Sequence, residues 1–190
     1  AQTSRTAWLE MIASITAQSD DPDLALKIGE AFQVRHLGVA GYVLISCATL
    51  GEAGQQVVRY YRLMGDVGSS QVHRCGEWAE DIFQWSEAGS PPPVLEQLWA
   101  AATVTLGRWL TGRNDLAWEA HFRFPRTSDI SAYERIFHGT LRFGQPATKL
   151  VFPAHVLELP IAMGNPELRT MAEAQAAAIL KALETEPEIL

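Results

Sequence analysis

The chain has 190 residues, 47% hydrophobic and 19% charged, which suits one compact domain with or without an arm and excludes disorder or collagen-like repetition. Fifteen Lys and Arg against 22 Asp and Glu leave a net charge of -7, the wrong sign for a chain that neutralises nucleic-acid phosphates by itself. The apolar run 37–50 is shorter than the roughly 20 residues of a bilayer-crossing helix, and no apolar signal segment follows Ala-Gln-Thr-Ser-Arg, so a cytoplasmic protein without a membrane partner is expected.

Trp8, Met11, Ile12 and Ile15 recur at helical spacing. After Asp20-Asp21-Pro22 a second helix is expected, with Asp21 as N-cap, Pro22 in the first turn, and Ala25, Ile28 and Phe32 inward. Residues 38–48 are apolar nearly all round, the pattern of a buried helix. Thr49-Leu-Gly-Glu52 has capping-box spacing and opens a helix whose buried side is Leu50, Ala53, Val57, either Tyr60 or Tyr61, and Met64. Residues 71–75 and 81–86 read as two strands joined through Gly76-Glu77-Trp78. Ser90 and three prolines then introduce a long helix with a core face of Leu95, Leu98, Trp99, Ala102, Leu106, Trp109 and Leu110, ended by Gly112.

Residues 116–124 alternate most cleanly. Leu116, Trp118, Ala120, Phe122 and Phe124 face one way, and Ala117, Glu119, His121 and Arg123 the other, until Pro125 stops the strand. A short helix over 129–138 carries Ile130, Tyr133, Ile136 and Phe137 inward, with Gly139 as its stop. Residues 141–143 and 150–152 read as short strands around a Gly144-Gln-Pro146 loop. Together these predict an α+β fold: a helical N-terminal third, then a mostly antiparallel sheet of about five short strands packed with helices. Residues 166–186 are rich in Ala and Glu and form a final helix with a narrow stripe of Leu168, Met171, Ala172, Ile179 and Leu183, interrupted by Gln175.

Catalytic signatures are missing. There is no Gly-x-Ser-x-Gly elbow, phosphate-cradling Gly-rich loop or His-Glu-x-x-His helix, and His36, His73, His121, His138 and His155 lie far apart. Cys47 sits in an apolar run that keeps its thiol protonated, and it and Cys75 are read as free thiols. No catalytic residue, metal or cofactor is therefore assigned.

The segment Leu37-Gly-Val-Ala-Gly-Tyr-Val-Leu-Ile-Ser-Cys-Ala-Thr-Leu-Gly-Glu-Ala53, followed by Val57-Val-Arg-Tyr-Tyr-Arg-Leu63, resembles the signature of the N-terminal effector domain of AraC/XylS-type bacterial transcription regulators. Phe122-Arg-Phe-Pro125, Tyr133-Glu-Arg-Ile-Phe137, Leu141-Arg-Phe143 and Leu150-Val-Phe152 fall in the order of that family's second half, and Asn165-Pro-Glu-Leu168 is similar to the opening of its final helix. The resemblance spans about residues 5–185. It departs at Gly54, where a larger apolar residue is usual, and at His138-Gly-Thr140, where a Gly-x-Pro turn is more common. It implies a non-enzymatic sensor of a small-molecule effector over residues 1–164. Residues 165–190 would then be a helix and linker toward a helix-turn-helix domain, through which alone the protein would bind DNA.

A sensor needs an enclosed, mostly apolar site with a few orienting polar groups. Trp78 and Trp85 beside the hairpin are candidate ligand contacts, as are Tyr60 and Arg62. Glu119, His121 and Arg123, joined by Arg142 from a neighbouring strand, are candidates on the second sheet face, where Arg suits a carboxylate through bidentate bonding; a solvated face is the other reading. Trp99, Trp109 and Trp118 are expected in the core. The final helix either closes over its own domain or pairs with a second copy through Leu168, Met171, Ile179 and Leu183. The competing function is a dimerisation or protein-interaction domain with no small-molecule ligand.

Overall fold

The computed structural model describes residues 11, 12, 14–16, 18–64, 69–85, 91–162 and 164–185. The expectations for Trp8, Ser86, Ser90 and Glu186 lie outside these, as do the side chains of Arg62, Met64 and Leu183. Of the first helical stripe, Ile12 is buried, whereas Met11 and Ile15 are exposed.

Helix α1 (Leu24–Glu30) begins later than expected. Asp21 Oδ1 accepts the Asp23 backbone N–H at 3.0 Å, so Asp21 and Pro22 shape the preceding turn and Asp23 holds the N-cap position. Helix α2 (Val39–Ser46) buries Ala40, Gly41, Val43, Leu44 and Ser46, as its uniform hydrophobicity predicts. Helix α3 (Leu50–Tyr60) starts at the expected cap: Thr49 Oγ1 accepts the Glu52 N–H at 3.3 Å, and Glu52 Oε2 reaches back to the Ala48 N–H at 3.1 Å. Tyr60 enters the core, and Tyr61 opens a 3-10 turn over Tyr61–Met64.

Strands β1 (Ser69–Cys75) and β2 (Trp78–Gln84) form a hairpin around Gly76-Glu77, with Gly76 at φ +66°. Trp78 thus belongs to β2, opposite Cys75, rather than to the turn. Helix α4 (Pro93–Thr111) opens on proline and ends at left-handed Gly112, as expected. Its inner ridge is corrected. Ala100, Ala101, Val104 and Gly107 join Leu95 and Leu110 in the interior, while Trp109 is 53% exposed and not core. Periodicity weighted the large residues, but the closest packing uses the small ones. A Cβ at Gly29 would stand 2.5 Å from the Ala101 Cβ, so this glycine lets α1 lie against α4.

Strand β3 (Trp118–His121) is shorter than its alternating pattern, because Phe122 and Phe124 turn off to bond the loop after β4. Helix α5 (Ser131–Phe137) is followed by β4 (His138–Arg142) and β5 (Lys149–Pro153). The stop of α5 is corrected too: His138 takes the left-handed conformation at φ 56°. Gly139 answers a different need, since a Cβ there would lie 2.6 Å from the Trp118 carbonyl oxygen.

The sheet order is β1-β2-β5-β3-β4, antiparallel except for β3 with β4, whose connection through α5 makes them parallel. The α+β expectation is borne out. One sheet face, carrying Ala79, Trp118, Ala120, Leu150 and Phe152, packs with α4 and an aromatic cluster of Phe122, Phe124, Tyr133, Phe137 and Phe143. Two polar ties hold this core. Glu96, 1% exposed, accepts from the Arg123 N–H at 3.2 Å and from the Thr148 hydroxyl, and burial raises its pKa. Arg108 donates to the Leu116 carbonyl at 2.6 Å and to the Ile136 carbonyl at 2.6 Å.

A second core joins α2, α3 and helix α6 (Pro166–Thr185). Helix α6 turns Ala172 and Ala176 inward, so Leu168, Met171 and Ile179 of the anticipated stripe stand exposed.

Candidate functional site

Small residues at facing positions of two helices leave space where large ones would close it. On α3, Ala53 and Gly54 lie between Leu50 and Val57; on α4, Ala102, Thr103 and Gly107 lie between Leu98 and Leu110. With Ser70, Val72, Asp81, Phe83, Trp118 and Phe152 on the sheet, they line a cavity of about 250 Å³ between the two cores. Trp99 and Tyr61 complete its aromatic wall. The ring centroids of Phe83 and Trp99 are 5.3 Å apart, and those of Trp118 and Phe152 4.4 Å. A second hollow of about 290 Å³, lined by Ser19, Asp20, Asp21 and Pro22 among others, has no aromatic wall.

Asp81 is the charged group of this apolar wall, 6% exposed. It reaches the interior by strand alternation, following Ala79 and preceding Phe83 on the inner face. Trp99 Nε1 donates to Ser70 Oγ at 3.1 Å, and the Ser70 hydroxyl bonds the Asp81 carboxyl. Asp81 Oδ1 and Trp118 Nε1 are buried without a partner among the described residues. Burial pushes the Asp81 pKa up to about 7, against the lowering effect of Ser70. The wall of this half-open apolar hollow therefore includes an unpaired acceptor and an unpaired donor, groups that could orient a small molecule.

The residues singled out in the sequence lie elsewhere. Glu119, His121 and Arg142 do meet, with Glu119 Oε1 2.7 Å from His121 Nε2 and 2.6 Å from Arg142 Nε. These partners, His121 first, hold the Glu119 pKa below its usual range. Glu119 and His121 alternate with the inward Trp118 and Ala120, so the cluster occupies the sheet face away from the cavity. Arg123 sits in the bend after β3, Tyr60 in the second core, Trp78 at the half-exposed start of β2, and Trp85 just past its end. None of these seven lines the cavity, and the Arg62 side chain is outside the described residues. Sequence reasoning missed Asp81, Ser70 and Gly54; the one available signal was an acid at an inward strand position between Ala79 and Phe83.

Arg169 of α6 donates to Glu52 Oε2 at 2.5 Å and to Glu173 Oε1 at 2.9 Å, tying the final helix to the start of α3. Among the described residues no group of His, Cys, Asp and Glu is arranged to hold a metal ion, and no helix is long and apolar enough to cross a membrane.

Residues 1–161 match the family described as the arabinose-binding domain of AraC transcription regulator, N-terminal. The chain is 26% identical over 182 residues to the ornithine utilization regulator of Pseudomonas aeruginosa, which covers 95% of this chain and 54% of that protein. It thus spans about half the length of this relative. The crystal structure of the transcriptional regulator CdpR from Pseudomonas aeruginosa has the same fold, with a TM-score of 0.71 at 22% identity, over 90% of this chain and 62% of the other. With most of its length matched, this chain belongs to the family of N-terminal arabinose-binding domains of AraC transcription regulators.

Proposed function

We propose that the chain is the effector-sensing region of a cytoplasmic transcription regulator. In this reading a small molecule fills the cavity between α3, α4 and the sheet, and residues 165–190 pass its occupancy to a helix-turn-helix domain that binds DNA. The observation that carries it is the apolar cavity of about 250 Å³ with a buried, half-satisfied Asp81 in its wall. The proposal places the effector at this wall rather than at Glu119, His121, Arg123 or Arg142. Occupancy acts by shifting the population of two arrangements of α3 and α6, by no more than the ligand's differential affinity for them. No catalytic step is part of it.

A ligand of the folded state raises the melting temperature by mass action, by about 2.7 kcal/mol of stability at a hundredfold excess over its Kd. Thermal melts against a metabolite panel are expected to find such a ligand. A flat response across the panel favours the competing reading, a dimerisation domain without an effector.

One observation favours self-association beside sensing: Leu168, Met171 and Ile179 stand exposed along one side of α6. A homodimer through this stripe predicts that Met171→Asp halves the sedimenting mass while leaving the melting temperature within about 2 °C, as a surface substitution within ±0.5 kcal/mol would. An unchanged mass rejects the stripe as the contact.

A further inference from the structure

We infer that the cavity takes a protonated amine carried on an apolar, aromatic body, with the ammonium paired to Asp81 and the body against Phe83, Trp99 and Trp118. The inference rests on the sensor reading above and names its ligand class.

Three observations on the wall converge. Trp99 Nε1 donates to Ser70 Oγ, which leaves the Ser70 proton for one oxygen of the Asp81 carboxyl and commits that oxygen to accepting. The second oxygen, Oδ1, is buried with no donor among the described residues. Among the described residues no Lys, Arg or His lines the cavity, so a guest that brings its own cation suits the ionised Asp81 better than a carboxylate does. Phe83, Trp99 and Trp118 line the same hollow and supply apolar contact, with cation–π attraction wherever a ring face meets the ammonium. Trp118 Nε1, also unpartnered among the described residues, would take a neutral acceptor such as a hydroxyl on the same molecule.

Proton linkage follows. The elements packed around Asp81 present Ser70 and Val72 from β1, Leu150 from β5, Trp99 and Thr103 from α4, and Tyr61 from the 3-10 turn; Tyr61 is the other titratable side chain of the described wall. With no cation present, burial holds the Asp81 proton up to about pH 7. An ammonium displaces that proton, so amine affinity falls as pH drops below about 7, while the affinity of a neutral guest does not.

The test uses 2-phenylethylamine, 2-phenylethanol and 3-phenylpropionate as probes of the 190-residue chain, read by calorimetry and tryptophan fluorescence. At about pH 7.5 the amine is expected to bind at least about tenfold more tightly than the alcohol, and the carboxylate most weakly. Asp81→Asn removes the amine's advantage and leaves the alcohol within about threefold. Equal amine binding in Asp81→Asn, or tightest binding of the carboxylate, overturns the inference. If Asp81→Asn does not fold, the ranking of the three probes in the unaltered chain decides. Alcohol binding without amine preference overturns the amine assignment alone. Silence of all three probes overturns it as well, and takes the sensor reading with it if the metabolite panel is also silent.

Discussion

Asp81→Asn is expected to stabilise the ligand-free chain at pH 8, by about 2–4 kcal/mol, and to flatten its dependence on pH. The carboxyl titrates at 3.8 when unperturbed and at about 7 in the folded chain, where burial outweighs the Ser70 bond. The folded state therefore holds the proton more tightly than the unfolded state. Stability from this group is greatest below about pH 4, falls as pH rises toward 7, and stays low above it. At about 1.4 kcal/mol per pH unit, that window is worth about 4 kcal/mol. Glu96, raised by burial as well, adds a slope of the same sign. Urea unfolding across a pH series checks this. An asparagine variant that is weaker at pH 8, or that keeps the wild-type slope, would contradict an unpaired buried carboxyl.

Arg108→Met should lower stability by about 2–4 kcal/mol. The guanidinium uses Nε and Nη2 on the Leu116 carbonyl and Nη1 on the Ile136 carbonyl. Ile136 lies in the last turn of α5, where unpaired carbonyls make the negative end of the helix dipole. Burial depresses the Arg108 pKa, the sign of a cation whose hydration has been replaced by these carbonyls. Methionine keeps the apolar stem and removes the donors, stranding two partly buried acceptors. Lysine should recover less than half, because one ammonium cannot span both oxygens. A fall in the urea midpoint at constant m-value is the expected readout; a change below about 0.5 kcal/mol would mean that water replaces the guanidinium.

Features set by neighbours in sequence were legible. The Thr49 cap, the left-handed Gly112 and the inward set from Leu116 to Phe124 each depend on a few adjacent residues, and each is in place. Sheet order depends on contacts between distant segments: β5 inserts between β2 and β3, and β4 runs parallel to β3, which no local pattern encodes. Helix faces were misjudged where small residues make the closest approach. Trp109 looked like core because it is large, yet Ala101 and Gly107 fill the interior.

The candidate site was less legible than the fold, for a related reason. A void is made by what side chains lack: Gly54 and Gly107 carry no signal in hydrophobic periodicity, and Ala102 reads there as core. The Trp99–Ser70 bond joins residues from separate elements, so the setting of Asp81 could not be read from its own strand. Charge pattern instead drew the reading to Glu119, His121 and Arg142, whose mutual pairing on the outer face already answers their charges.

The double grip of Arg169 has a mechanical meaning. It moors the last helix to Glu52, and Glu52 also holds the Ala48 N–H, at the root of the helix that forms one jamb of the chamber. The anchor point is thus on the jamb and not on the sheet. A guest that nudges this jamb would pull on a rope already tied, and added salt would slacken the knot from outside without anything entering the chamber.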